Sequence, residues 1–428
     1  MKVYLRTLGC RLNQAEIDAM ARQFKQQGHE IVEDAAQADQ VIVNTCAVTQ
    51  DAVRAGRQTI RQIHRANESA AITVTGCHAQ IAPDEIAVLP GVARVINNLE
   101  KDALVTHVTG VDLQPFDHEP IQRAAPNAVT RTRAFVKVQD GCDNACTFCV
   151  TTIARGDGRS RPTADIVAEV RLLLAMGYQE IVLTGVHLGS YGHDQGDPNG
   201  LIHLIQALLQ DTDMPRLRVS SLEPWDLSPD FFELWANDRL CPHLHLPLQS
   251  GSDRTLKRML RKTTQAQFRH LIAAARERIA HPFITTDVIV GFPGETDEEF
   301  AESEAFIHEI DFAGLHVFRY SKRPGTAAAR MRGHIAEDVK KTRAARLLAL
   351  SDMLELRSVE SLIGYERSVL WEQIAGVTDQ GFINVGYTQE YVRVTSVLPR
   401  TLTNMITPAR IDGVDRTKKQ AFVTPIIN

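Results

Sequence analysis

Nowhere along the 428 residues do 18 or more apolar side chains run together, which leaves no stretch able to cross a bilayer as a helix. A charged-then-apolar leader is missing as well, since Met1 to Cys10 alternates apolar and polar residues. The expected location is therefore the cytoplasm, with no membrane partner. An excess of positive charge is also lacking: the formal net charge is -5, so any contact with nucleic acid has to come from local basic patches. Nor do the cysteines form an even set. Seven of them in a long chain without an export signal argue against a disulfide framework and for metal binding or catalysis by reduced thiols.

What is present suits a folded protein of several cores. Apolar residues make up 44% and charged residues 23%, the balance of a globular chain, and the length predicts roughly two to four domains. Basic residues crowd two stretches, Arg254, Lys257, Arg258, Arg261 and Lys262, then Arg319, Lys322, Arg323, Arg330, Arg332, Lys340, Lys341, Arg343 and Arg346. Each reads equally well as a solvated face or as a contact for phosphates.

The first hundred residues repeat one pattern, in which a short β-rich run leads to a cysteine and then to a helical stretch. The runs are Val3 to Leu8, Val41 to Asn44 and Ile72 to Val74; the helices are expected near Asn13 to Gln27, Asp51 to His64 and Pro83 to Leu89. Alternating strands and helices imply a parallel sheet, whose ligands gather beyond the carboxyl ends of the strands. Cys10, Cys46 and Cys77 all stand just there, so the topology can bring them together as ligands. Three buried structural thiols are the alternative.

Pro115 to Arg133 contains three prolines and reads as a linker. After it come six candidate strands, Phe135 to Val138, Ile181 to Thr184, Leu217 to Ser220, Leu244 to Leu248, Ile284 to Val290 and Leu315 to Arg319, separated by amphipathic stretches. They predict a partial (β/α)6 barrel with its active face at the strand carboxyl ends. A helix follows from Ile335 to about Leu362, and the short β-rich runs beyond Gly364 suit a small β-barrel of the kind that often binds oligonucleotides. The expected α/β architecture is thus residues 1–114, a parallel α/β domain; 115–133, a linker; 134–334, the partial barrel; 335–363, a connecting helix; and 364–428, a small β-barrel.

The sharpest local signal is Gly141-Cys142-Asp143-Asn144-Ala145-Cys146-Thr147-Phe148-Cys149. Three cysteines spaced Cys-x3-Cys-x2-Cys after a strand can hold three corners of a [4Fe-4S] cluster and leave the fourth iron open. A zinc site is the alternative; it wants four closed ligands, and only His187 or His245 from other strands offers a fourth.

This spacing on the first strand of a partial barrel resembles the radical S-adenosylmethionine superfamily. Thr7-Leu8-Gly9-Cys10-Arg11-Leu12-Asn13-Gln14, Asn44-Thr45-Cys46-Ala47-Val48 and Thr75-Gly76-Cys77-His78-Ala79-Gln80 are similar to the three-cysteine domain of its methylthiotransferases, and further similar segments recur in order at 183–189, 220–224, 243–252 and 287–296. The β-rich end looks like the family's RNA-binding TRAM module. The resemblance implies that Cys142, Cys146 and Cys149 hold a [4Fe-4S] cluster whose open iron chelates S-adenosylmethionine, giving a 5'-deoxyadenosyl radical on reduction. It implies that Cys10, Cys46 and Cys77 hold a second, auxiliary [4Fe-4S] cluster for sulfur insertion. It further implies a tRNA substrate, a low-potential electron donor of flavodoxin or ferredoxin type and a sulfur donor. Cofactor contacts expected on the same ground are Thr184, Gly185, Glu223, Gln249, Asp287, Ile289 and Gly291.

Related subfamilies act on two hypermodified adenosines beside the anticodon or on an aspartate of a ribosomal protein. The segments at 7–14 and 185–189 look most like the bacterial branch that acts on N6-threonylcarbamoyladenosine. Isopentenyladenosine or the ribosomal aspartate stay as alternatives, as does a non-catalytic, zinc-bound RNA-binding module. The chain departs from the family pattern at Val150-Thr151-Thr152-Ile153-Ala154-Arg155-Gly156, which lacks the usual proline before Arg-Gly. Arg155, Arg159 and Arg161 are expected to meet phosphates at the barrel mouth. Cys241, before the fourth barrel strand, is expected to be a packed thiol.

Overall fold

The computed structural model describes residues 1–112 and 132–427. The first five strands, β1 (Lys2–Thr7), β2 (Glu30–Val32), β3 (Gln40–Thr45), β4 (Ala71–Gly76) and β5 (Val92–Val95), form one parallel sheet in the order β2-β1-β3-β4-β5. Successive side chains of β3 go to opposite faces. Ile42 packs with Ile17, Met20 and Phe24 of the helix Arg11–Gln26 on one side, while Val41 and Val43 pack with Ile60 and Ile63 of the helix Gln50–Ala66 on the other. Cover on both faces explains why every residue of β3 is buried. The helix expected near Pro83 to Leu89 is found at Pro83–Ala87, opened by Pro83, and a separate short helix, Cys77–Ile81, precedes it.

The expected linker lies, for residues 115–131, outside the described residues. From Arg133 the chain builds β6 (Arg133–Lys137), then β7 (Gln139–Asp140) and β8 (Arg159–Ser160), an antiparallel pair that brackets the Gly141 to Cys149 loop. The remaining barrel strands are β9 (Glu180–Thr184), β10 (Arg216–Val219), β11 (His243–His245), β12 (Phe283–Val290) and β13 (Gly314–Arg319). They run parallel as β6-β9-β10 and β11-β12-β13, and single bridges at Leu217–Leu240 and Ser221–His245 join the two halves. Six parallel strands in chain order, open between β6 and β13, make the partial barrel. One core lies between strands and outer helices, with Ile284, Val288 and Val290 facing Phe300, Phe306, Ile307 and Leu347. Asp287 and Ile289, being one residue out of step, face the barrel interior. One of the amphipathic stretches between the barrel strands is a 3-10 run over Pro229–Ala236, opened by its proline.

The helix Glu337–Glu360 packs on β12 and β13 and leads to β14 (Glu366–Thr378), β15 (Gly381–Thr388), β16 (Arg393–Leu398), β17 (Ile406–Asp415) and β18 (Gln420–Pro425), a closed barrel in the order β14-β15-β16-β18-β17. Its core centres on Trp371, whose Nε1 donates to Thr407 Oγ1 at 2.9 Å. This barrel docks on the amino ends of the partial-barrel strands. There the buried Glu180 is bonded by Arg218 at 2.8 Å and Arg133 at 2.8 Å, and Arg133 and Arg218 lie 4.9 and 4.8 Å from the Tyr391 ring centroid. Among the described residues no helix is long and apolar enough to cross a membrane.

Candidate active site

Both cysteine triads stand at strand carboxyl ends and face each other across the junction of the N-terminal sheet and the partial barrel. Cys10 follows β1 and precedes the helix Arg11–Gln26, Cys46 follows β3, and Cys77 starts the helix after β4. Two glycines permit the approach. Gly9 (φ +112°) presses on Cys46, since a Cβ there would lie 2.9 Å from Cys46 Sγ; Gly76 (φ +98°) lies so close to β3 that a Cβ would come within 2.2 Å of the Thr45 carbonyl oxygen. The Val48 N–H donates to Cys46 Sγ at 3.5 Å. Burial, together with the neighbouring Cys77 and Cys10, pushes the Cys46 thiol up to about 11.

The second triad sits on the loop after β7. The N–H groups of Asn144 and Thr151 donate to the sulfurs of Cys142 and Cys149, each at 3.4 Å. Arg261 Nη1 lies 3.8 Å from Cys146 Sγ. Burial pushes the Cys146 thiol up to about 11, against the pull of Arg261. Cys142, Cys146 and Cys149 are half-buried, while in the first triad Cys46 and Cys77 are buried and Cys10 is exposed; three neighbouring thiols repel one another when ionised, and a metal centre relieves that repulsion. Among the described residues the only His, Cys, Asp and Glu donors close enough to share one ion are His245, Asp287 and His316. Neither cysteine triad is among them, and the N–H groups that donate to Cys46, Cys142 and Cys149 suit thiolates of an iron-sulfur centre.

His187 does not reach out as a free fourth ligand. Its Nε2 is bonded to Asp226 Oδ2, and Asn144 Nδ2 lies 3.2 Å from its Nδ1. Burial alone would lower its pKa, but the bonds to Asp226 and Cys142 push it up to about 10. His245, Asp287 and His316 face the barrel interior, with His245 Nε2 3.2 Å from Asp287 Oδ1. Burial, with the neighbouring His245 and Arg11, holds the His316 pKa down against the pull of Asp287.

The expected cofactor contacts line the same barrel mouth, and each has protein partners. Thr184 Oγ1 donates to the Val136 carbonyl at 3.2 Å. A Cβ on Gly185 would meet Gln139 Oε1 at 3.0 Å. Arg261 Nη1 donates to Glu223 Oε1 at 3.0 Å, with its guanidinium 4.3 Å from the Trp225 ring centroid. Gln249 takes a left-handed backbone (φ 70°), its N–H bonded to the Asp287 carbonyl and its carbonyl to the Ile289 N–H, both at 2.8 Å. Ile289 packs near Phe148 of the cysteine loop. The room beside Gly291 is filled by Lys340, whose Cγ lies 2.3 Å from where a Cβ would be. That packing and a left-handed backbone (φ +71°) both call for glycine there.

The structure corrects the reading of the basic residues. Arg155 is buried and unable to meet phosphates: it donates to Glu16, Asp140 and Asn13 at 2.8 to 2.9 Å. Arg161 is likewise bonded to Glu169 and the Lys137 carbonyl, while Arg159 stays exposed. In the two basic stretches, Arg258 and Arg261 bond Glu299 and Glu223, and Lys340 and Arg343 bond Glu337 and Glu295. Cys241 is fully buried, as a packed thiol would be. Sequence reasoning missed Glu16, Lys101, Asp140 and Arg155 as a group. Lys101 Nζ bonds Glu16 Oε2 at 2.8 Å, and the whole cluster is buried between the two triads. Its members come from four distant segments, and no local pattern links them.

Comparisons with known proteins agree with this architecture. Residues 2–97 match Uncharacterized protein family UPF0004, and residues 136–307 match the Radical SAM superfamily. Among solved structures, the radical S-adenosylmethionine methyltransferase TsrM from Kitasatospora setae matches with a TM-score of 0.59 and 16% identity over 77% of this chain and 75% of that one. The cobalamin-dependent radical enzyme OxsB gives a TM-score of 0.50 at 12% identity, over 83% of this chain and 56% of that one. These two likenesses show the fold, that of radical S-adenosylmethionine enzymes. The threonylcarbamoyladenosine tRNA methylthiotransferase MtaB of Bacillus subtilis is 39% identical over 92% of this chain and 89% of its own length, and that of Thermotoga maritima is 38% identical over 91% and 90%. The tRNA-2-methylthio-N(6)-dimethylallyladenosine synthase of Acetivibrio thermocellus is 32% identical over 89% and 83%. The chain belongs to the radical S-adenosylmethionine methylthiotransferase family. Membership makes it an enzyme that works with S-adenosylmethionine and iron-sulfur chemistry.

Proposed function

We propose that this enzyme converts N6-threonylcarbamoyladenosine, at position 37 of tRNA, to its 2-methylthio derivative, using [4Fe-4S] clusters on both cysteine triads. The observation that carries the reading is the pairing of two three-thiol sets across one buried junction. Identity of 39% and 38% to two of the threonylcarbamoyladenosine relatives, against 32% to a dimethylallyladenosine synthase, supports the choice of nucleoside. A cluster on Cys142, Cys146 and Cys149 supplies the binding and reductive cleavage of S-adenosylmethionine, and one on Cys10, Cys46 and Cys77 supplies the site of sulfur transfer. The chain's own residues do the rest. Arg261 balances charge at Cys146, Arg155 fixes one triad against the other, and Thr184, Gly185, Glu223, Gln249, Asp287, Ile289 and Gly291 shape the mouth in which cofactor and base meet. The closed barrel 364–428 acts as the RNA-binding module, beside the domains 1–114 and 134–334 and the connecting helix 335–363. The electron donor is of flavodoxin or ferredoxin type, and a separate donor resupplies sulfur.

Nucleoside mass spectrometry on tRNA from a deletion strain tests this. Loss of 2-methylthio-N6-threonylcarbamoyladenosine, with its unthiolated precursor accumulating, is expected; retention in a strain with no second such enzyme contradicts it.

A further inference from the structure

A cavity of about 270 Å3 lies at the junction of the N-terminal sheet and the partial barrel, lined by Ala47, one residue past Cys46, and Val150, one residue past Cys149, with no cysteine in its wall. Its polar lining is mostly basic: Arg54, Arg57 and Arg323, with Glu85 as the sole carboxylate. Glu85 is already taken by Arg57, at 3.2 Å. Arg54 has only Asp51, at 3.9 Å, and both are exposed.

Arg323 is the unusual member. It stands just past the carboxyl end of β13, on a loop that touches both halves of the molecule: Gln50 Nε2 donates to the Lys322 carbonyl, and Ala328 N–H donates to the Thr147 carbonyl of the cysteine loop. Its side chain is only 5% exposed. Among the described residues no carboxylate lies within ion-pair distance of it. Nη2 donates to Ser321 Oγ at 2.9 Å, and its buried Nε has no partner. The Cys46 thiol and Asp51 face it at longer range, but a buried guanidinium with no carboxylate bonded to it is costly, and its planar fork matches an oxyanion.

We infer that Arg323, with Arg54 and Arg57 around it, forms an oxyanion-binding site that holds the substrate RNA beside its reacting base, through either the carboxylate of the threonylcarbamoyl group or a backbone phosphate. The assignment rests on the proposed RNA methylthiotransferase activity for the identity of the ligand, while the cavity and the unpaired guanidinium stand independently of it. A base that receives sulfur from one cluster and a radical from the other has to enter between the triads, and this cavity lies beside the residues that follow Cys46 and Cys149.

The test is fluorescence anisotropy with the full-length, anaerobically reconstituted protein and two anticodon stem-loop RNAs, one carrying N6-threonylcarbamoyladenosine and one plain adenosine. Losing a charge-assisted bond should weaken binding of Arg323→Gln roughly tenfold or more, with partial recovery in Arg323→Lys. A loss confined to the modified RNA identifies the carboxylate. An equal loss on both, with a salt slope reduced by about one, identifies a phosphate. Unchanged binding of both RNAs, at wild-type iron content, overturns the site. Should Arg323→Gln lose its iron, the exposed Arg54→Gln decides: weaker binding supports the site and unchanged binding overturns it. Arg323-dependent binding by an enzyme that leaves the modified RNA unthiolated would instead sink the proposed activity and leave the site standing.

Discussion

Arg155 Nη1 donates to Glu16 Oε1 at 2.9 Å, tying the helix after one cysteine triad to the helix after Cys10. Glu16 also holds Lys101, and Arg155 also holds Asp140 and Asn13. Burial alone would raise the Glu16 pKa, and the charges of Lys101 and Arg155 bring it well below the usual carboxylate range instead. The junction between the triads is therefore a satisfied ionic cluster. Removing one member strands the others.

Arg155→Met should accordingly cost about 3 to 5 kcal/mol of stability, since it leaves Glu16 and Asp140 buried with less counter-charge. Thermal unfolding of the cluster-free protein measures it. With clusters restored, cofactor cleavage should survive better than product formation, because only the latter needs both triads in register.

A second prediction concerns the docked C-terminal barrel. Burial would raise the pKa of Glu180, but Arg218 and Arg133 bring it down to about 2 from an ordinary 4.5. A carboxylate depressed in the folded state stabilises fully above its unfolded pKa and loses that contribution as pH falls from about 4.5 toward 2. Glu180→Gln should lower stability at pH 7 by about 3 kcal/mol and flatten the acid side of the stability profile. An unchanged profile between pH 5 and 3, in roughly the range where the linkage acts, contradicts the assignment.

Gly76 sets the distance between β4 and β3. A Cβ in Gly76→Ala would sit 2.2 Å from the Thr45 carbonyl oxygen, at a φ of +98° that side chains rarely adopt. The strands must part and Cys77 must move. Iron should fall by about four atoms per chain after reconstitution, while cofactor cleavage at the other triad persists; full iron loading would show that the triad tolerates the shift.

Much of this was legible in the sequence because it follows local rules. Cys10, Cys46 and Cys77 each follow a short β-rich run, so a parallel sheet had to put them at one edge, and the six barrel strands appear in chain order. What escaped depends on partners far apart in sequence. Arg155 reads as a basic residue beside a loop, and nothing local says that it points at Glu16, 139 positions away. Glu223 reads as a cofactor contact, and nothing local says that Arg261 bonds it. The strand Ile406–Asp415 is hard to read locally, because Pro408 and a bulge between Ile411 and Gly413 break the alternation.

The division of labour between the triads predicts different defects. Cys142→Ala should abolish cleavage of S-adenosylmethionine. Cys46→Ala should keep cleavage and stop sulfur insertion, giving 5'-deoxyadenosine without thiolated RNA. Equal loss of both activities in both variants would contradict separate roles.

The most direct test of the central claim is iron and acid-labile sulfide content, with an absorption spectrum, on full-length protein reconstituted without oxygen. Two clusters predict about eight of each per chain, falling to about half in Cys46→Ala. Zinc without sulfide after a sound reconstitution would contradict the account and leave the cysteines a structural role.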